Sequence, residues 1–149
     1  MLIADVLQSK GSEVVKIAPD EPVSLVVRQL AEHRIGALVV QDRWMKQVGI
    51  ISERDVVNAI AREGPAALSA KVQRLMSAPI ISCRSSDRID AALAVMTLAK
   101  IRHLPVIDGG RLLGIVSIGD LVKRRLDEKQ LEASVLLDLS RMRVRSLAG

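Results

Sequence analysis

GIISERD at residues 49–55 and GIVSIGD at residues 114–120 carry Gly, Ile, Ser and Asp in the same places, 65 residues apart. Such a recurrence in a short chain points to an internal duplication, and a missed repeat misassigns a whole fold. Working outward, a shift of 66 residues sets Val14 and Val15 on Ile80 and Ile81, Val23 on Ile89, Leu30 on Met96 and Ile35 on Ile101. The same shift sets Leu38 on Leu104, Val40 on Val106 and Asp42 on Asp108. The following turn is one residue shorter in the second copy, where DRWMKQ becomes DGGRL.

Hydrophobic periodicity gives each copy its elements. EVVKI (residues 13–17) is a β-branched run and predicts a strand. Val23, Val26, Val27 and Leu30 follow at helical spacing, so residues 22–33 predict a helix with proline at its start and basic groups at its end. ALVV, the turn DRWMKQ and VGII predict a hairpin, in which Trp44 is expected to pack. ERDVVNAIAREG predicts a helix stopped at Gly64-Pro65. The second copy repeats this: IIS strand, RIDAALAVMTLAK helix, HLPVID strand, Gly109-Gly110 turn, LLGIVS strand and a helix from Ile118. The fold class is therefore α+β, with two βαββα units.

The expected organisation is a first unit at residues 1–63 with a helical lead-in, a linker at 64–78, a second unit at 79–126 and a C-terminal extension at 127–149. In the linker, Val72, Leu75 and Met76 parallel Val6 and Leu7 ahead of the first unit. A lone unit of about 60 residues buries little apolar surface. Two units packed face to face bury more, and leave a cleft between matching surfaces. In the extension, Leu131, Val135, Leu136 and Leu139 make an apolar face at helical spacing. Asp127 and Glu128 stand early, and Arg141, Arg143 and Arg145 late, as the helix dipole favours. Such a helix calls for a covering surface, from its own module or a second protomer.

Composition narrows the classes. The chain is 49% apolar, a globular balance, yet no run approaches the roughly 20 residues of a membrane span. Asp5 interrupts the N-terminal apolar run and no basic leader precedes it, so no signal peptide is expected. One cysteine, Cys83, forms no internal disulfide, which fits a cytoplasmic location. The net charge of +5 admits anionic partners, but Trp44 is the single aromatic, against the several that single-strand binders stack on bases. His33, His103 and Cys83 have no metal-ligand spacing, so no metal site is expected.

IGALVV and IRHLPVID, followed by GIISERDVV and GIVSIGDLV, resemble a pair of cystathionine-β-synthase-type (CBS) repeats, together a Bateman module, over residues 1–127. The resemblance implies two βαββα units about a pseudo-twofold axis. It implies a cleft that binds AMP, ADP, ATP, NAD or S-adenosyl-methionine and reports occupancy to a partner or attached domain. No attached effector domain is expected, and the module is expected to be stand-alone and homodimeric, needing no cofactor beyond that ligand.

The resemblance also assigns residues. Asp55 and Asp120 match the ribose-binding position, where two carboxylate oxygens suit a vicinal diol. Read from the sequence alone, Ser52 with Asp55, and Ser117 with Asp120, are capping boxes, and the two roles can coexist. Arg54 could grip a phosphate or stand in water, and Gly119 replaces it in copy two. Gly36, Ala37, Ile101, Arg102 and His103 precede the first hairpin strands, where small residues admit a ligand and basic ones meet phosphate. Val15 and Ile81 match segments that flank adenine, and also read as core strand residues. One site would join Ser117 and Asp120 to Val15. The other would join Ser52, Arg54 and Asp55 to Ile81. Both share the crossing segments. Alternatives are a structural homodimer without ligand, or a nucleic-acid binder using the basic tail, which is disfavoured, as is a membrane partner. No paired nucleophile and base is visible, so no catalytic residue is expected.

Overall fold

The computed structural model describes residues 1–11 and 13–148, with side-chain surroundings through Arg143. The Arg145 side chain and Gly149, both in the basic tail, lie outside the described residues. The elements in order are α1 (Ile3–Lys10), β1 (Lys16–Ile17), α2 (Val23–His33), β2 (Ala37–Gln41), β3 (Gln47–Ser52), α3 (Glu53–Glu63), a 3-10 turn (Gly64–Ser69), α4 (Val72–Leu75), α5 (Ile89–Ala99), β4 (His103–Asp108), β5 (Arg111–Ser117) and α6 (Ile118–Ala148).

The duplication is visible in the register. In the first half β1 runs parallel to β2 (Ile17 beside Val40), and β2 pairs antiparallel with β3 (Val40 beside Gly49). In the second half β4 and β5 set Val106 beside Gly114, and Cys83 bridges Val106 in parallel, the counterpart of Ile17 and Val40. The expected strand IIS is reduced to that bridge. The segment keeps two bonds, Cys83 N to Pro105 O at 3.0 Å and Ile107 N to Cys83 O at 2.8 Å. Helices α2 and α5 both end on a left-handed residue, Arg34 (φ 53°) and Lys100 (φ 57°).

Two apolar cores form, and the lead-in helices are exchanged between them. Ile3 and Val6 of α1 join Ile89, Met96, Leu104, Val116 and Leu121 of the second half. Val72 of α4 joins Val23, Val26, Leu38, Val40 and Ile51 of the first. Backbone bonds fix both docks: Ile3 N to Asp87 O and Val72 N to Glu21 O, each 2.9 Å. The exchange ties the halves together and accounts for the repeated glycine. A Cβ on Gly114 would stand 2.6 Å from Leu7 Cδ2, and one on Gly49 would stand 2.7 Å from Met76 Sδ and 2.9 Å from Ser77 O. Each lead-in crosses its strand where no side chain fits.

One expectation is corrected. Trp44 does not pack in its hairpin. It is 73% exposed, with the Arg43 guanidinium 4.5 Å from its ring centroid. Asp42 Oδ1 accepts from the amides of Trp44 and Lys46, which turns residue 44 outward at the loop tip. The C-terminal extension is helical, as expected, and follows the second unit without a break. It continues the helix that opens at Ile118, since no proline or glycine interrupts residues 120–148. Among the described residues, no helix is long and apolar enough to cross a membrane.

Candidate functional site

The two GI-x-S-x-x-D stretches become strand-to-helix corners. Ser52 ends β3 and caps α3: its Oγ accepts from Asp55 N at 3.3 Å, and Asp55 Oδ2 accepts from Ser52 N at 2.9 Å and Ser52 Oγ at 3.1 Å. Ser117 and Asp120 repeat this at α6, with Ser117 N to Asp120 Oδ2 at 2.9 Å and Asp120 N to Ser117 Oγ at 3.1 Å. In each pair one carboxylate oxygen serves the cap. Asp55 Oδ1 meets only a long contact from Ser77 Oγ, at 3.4 Å.

Each corner is clamped to the loop ahead of its hairpin. Glu53 N donates to Gly36 O at 3.0 Å, and Ile118 N donates to Arg102 O at 2.8 Å. The two loops then face each other across the pseudo-twofold. A Cβ on Gly36 would lie 2.8 Å from His103 Nε2, so glycine is what lets the imidazole lie there. Arg54 spans the halves, its Nη1 donating to Lys100 O at 3.3 Å.

A cleft of about 710 Å³ opens between these parts. Of the sequence-derived residues, Gly36, Ser52, Arg54, Asp55, Ile101, Arg102, His103 and Ser117 line it together. Val15, Ala37, Ile81 and Asp120 do not. Val15 packs against the first core, Ala37 is buried in β2, and Ile81 is exposed. Asp120 lines a separate hollow of about 280 Å³ with Lys10. Lys100 and Ser77 also line the cleft and were not singled out from sequence. Lys100 had a signal, because it aligns with Arg34 as the basic residue closing the helix. Ser77 had none, since only the docking of α4 brings it to Asp55.

The cleft is chemically graded. Asp55 and Glu53 stand at the α3 start, while Arg54, Lys100 and Arg102 supply positive charge. Burial pulls the His103 pKa below that of free histidine, and repulsion by Lys10 adds to this against the opposing pull of Glu53. Both effects favour the neutral imidazole. For Asp120 burial pushes the pKa up, but the hydrogen bonds from Lys10 and Ser117 and the charge of Lys10 outweigh it, so the net shift is downward. Among the described residues no three His, Cys, Asp or Glu side chains group as metal ligands.

Paired capped corners, paired parallel bridges and exchanged lead-ins make this a duplicated β-α-β-β-α module with an inter-repeat cleft. Residues 3–62 and 72–127 each match the CBS domain family. The chain belongs to that family. This CBS pair is 34% identical over 138 residues to CBS domain-containing protein CBSX3, mitochondrial, of Arabidopsis thaliana, covering 87% of this chain and 67% of that one. It superposes on a CBS-domain-containing protein of Agrobacterium tumefaciens with a TM-score of 0.81 and 40% identity, over 83% of this chain and 92% of that one. A CBS domain protein of Pyrobaculum aerophilum, solved in complex with AMP, matches at 26% identity and a TM-score of 0.72, over 80% and 89% of the two chains.

Proposed function

We propose that this CBS pair is a non-catalytic regulatory module that binds an adenosine-containing nucleotide in the cleft between its repeats and signals occupancy to a partner protein. The observation that carries this is the cleft itself. It sets a carboxylate with one oxygen turned away from its cap beside a guanidinium, a lysine and a second arginine, within the volume range of small-molecule sites. Asp55 suits a ribose diol. Arg54, Lys100 and Arg102 suit a phosphate. The AMP complex of the Pyrobaculum protein supports AMP as the first candidate, with ATP, ADP and NAD next. Because both halves line the cleft, a ligand that prefers one inter-repeat angle shifts the module toward it. Calorimetric titration with AMP, ATP, NAD and S-adenosyl-methionine tests the reading. Saturable binding of one of them supports it, and absence of binding by all four at millimolar concentration overturns it in favour of a ligand-free structural dimer.

Self-association belongs to the same reading. Residues 129–143 of α6 are exposed throughout, although Leu131, Val135, Leu139 and Met142 fall on one stripe. A helix of this kind draws its stability from a packed face rather than from propensity. Over residues 132–143 its acids, Glu132 and Asp138, precede Arg141 and Arg143, so antiparallel contact of that stretch with a second copy sets unlike charges together. Light scattering would report a dimer that a Leu131→Ser, Val135→Ser, Leu139→Ser variant loses. A wild-type monomer, or a variant that stays dimeric, would dismiss this contact.

A further inference from the structure

The two ribose-type carboxylates are related by the repeat, yet they are not equally available. Asp120 is held from outside its own half. The Lys10 ammonium, at the last turn of α1, donates to Asp120 Oδ2 at 2.5 Å and to Ile115 O at 2.8 Å. Both partners lie on the corner that β5 makes with α6. The docking that places Lys10 there is firm, because α1 is anchored by Ile3 and Val6 in the second core and by Leu7 over Gly114.

At the pseudo-symmetric position the lysine is missing. The bridge of Leu2 to Arg88 corresponds to that of Lys71 to Pro22. The same spacing then sets Leu7 on Met76, the two residues that cover the repeated glycines; past that point α1 stays helical to Lys10 while α4 has ended at Leu75, and Ser77 meets the matching groups, its N donating to Ile50 O at 2.8 Å. Serine has no charge to offer, and Asp55 receives only its hydroxyl, at 3.4 Å. The consequence is in the cavities: Asp55 opens into the large cleft, and Asp120 into a small hollow shared with Ser9, Lys10, Lys123, Arg124 and Asp127.

We propose that Lys10 is a built-in occupant of the second nucleotide position, pairing with Asp120 so that the module takes one nucleotide, at Asp55, rather than two. The inference rests on the nucleotide reading of the cleft and adds its stoichiometry. A ribose diol is neutral and cannot compensate the ammonium for its carboxylate, so the diol alone does not displace it. The ammonium shares Oδ2 with the Ser117 amide, so removing it leaves the cap in place and gives Asp120 back an uncompensated charge, the state of Asp55, which has no ion-pair partner among the described residues.

The test is calorimetric titration of AMP into the full chain. Wild type is expected to bind one AMP per chain, and Lys10→Met to bind two. Lys10→Arg keeps a cation in place and is expected to bind one. Lys10→Met combined with Asp120→Asn is expected to return to one, which ties the gained site to that carboxylate. Lys10→Gln serves if Lys10→Met fails to fold, judged by its thermal transition. Two AMP per wild-type chain, or one in Lys10→Met and Lys10→Gln alike, overturns the lysine's role and leaves the cleft reading intact. No binding by any of the proteins overturns both.

Discussion

Replacing Asp55 by Asn separates the two jobs assigned to this residue. In the folded chain Asp55 Oδ2 accepts from Ser52 N at 2.9 Å and completes the cap of α3. An asparagine side-chain oxygen can take over that acceptor. What it cannot supply is the second carboxylate oxygen, because an NH₂ group stands in its place, or the negative charge. The stability cost is then the loss of a charge in the first turn of a helix, about 0.3–1 kcal/mol. The affinity cost is larger. A hydrogen bond to a charged group contributes about 1.5–3 kcal/mol, which is about 10- to 150-fold in Kd.

The assay pairs AMP titration with thermal unfolding, and Asp5→Asn is the control. Asp5 Oδ2 accepts from Leu2 N at 2.9 Å at the start of α1, the same cap outside the cleft lining. Both variants should lose a similar, small amount of stability. Only Asp55→Asn should lose affinity. If Asp55→Asn binds AMP within twofold of wild type, the diol role is wrong and the capping box is the whole function of the motif. If both variants weaken AMP equally, the effect travels through the fold and not through contact.

Three further outcomes follow from the geometry. Gly49→Ala places a methyl 2.9 Å from the Ser77 carbonyl, a backbone atom, and should cost about 1–3 kcal/mol in urea unfolding; an unchanged midpoint would contradict the exchanged lead-in. Burial, with the charges of Asp87 and Asp108, raises the Cys83 thiol to about 11 from an ordinary 9.0. The unfolded chain then ionises first as pH rises, so stability present below pH 9 falls by roughly 3 kcal/mol on the way to pH 11. Cys83→Ala should lack that share of the alkaline loss, and parallel stability curves would refute it. His103 is depressed by burial, so its folding contribution is present above pH 6.5 and is lost as pH falls through the lower folded value. A phosphate placed beside it should raise that value, so AMP binding should take up protons and tighten below pH 7, and titrations in two buffers of different ionisation enthalpy should reveal the uptake.

Which parts were legible in the sequence has a physical explanation. The duplication, both hairpins and both capped corners rest on local chemistry: alternating apolar residues, a Gly-Gly turn with φ of 56° and 78°, and Ser with Asp three residues apart. Those interactions are made within a few residues, so spacing reveals them. Trp44 went the other way because a two-bond Asx turn at Asp42 outweighs the apolar bulk of one ring. The exchange of α1 and α4 was hidden because each helix is short and packs on a strand far along the chain. Val6 and Leu7 were seen to parallel Val72, Leu75 and Met76, but periodicity does not say which half each one covers.

The same long-range packing decides which site residues meet. Arg54, Arg102 and His103 converge because two local corners are brought face to face. Lys10 carried no signal as a lone lysine before a glycine, and only the docking of α1 on the second half delivers it to Asp120, 110 residues away. A duplication makes two sites equal in sequence motif. The lead-ins lie outside the repeated motif and bring a lysine to one corner and a serine to the other. That divergence, rather than the Arg54-to-Gly119 difference inside the motif, sets the larger inequality: an absent arginine weakens a phosphate contact, whereas an ammonium on the carboxylate compensates the charge that would hold the diol.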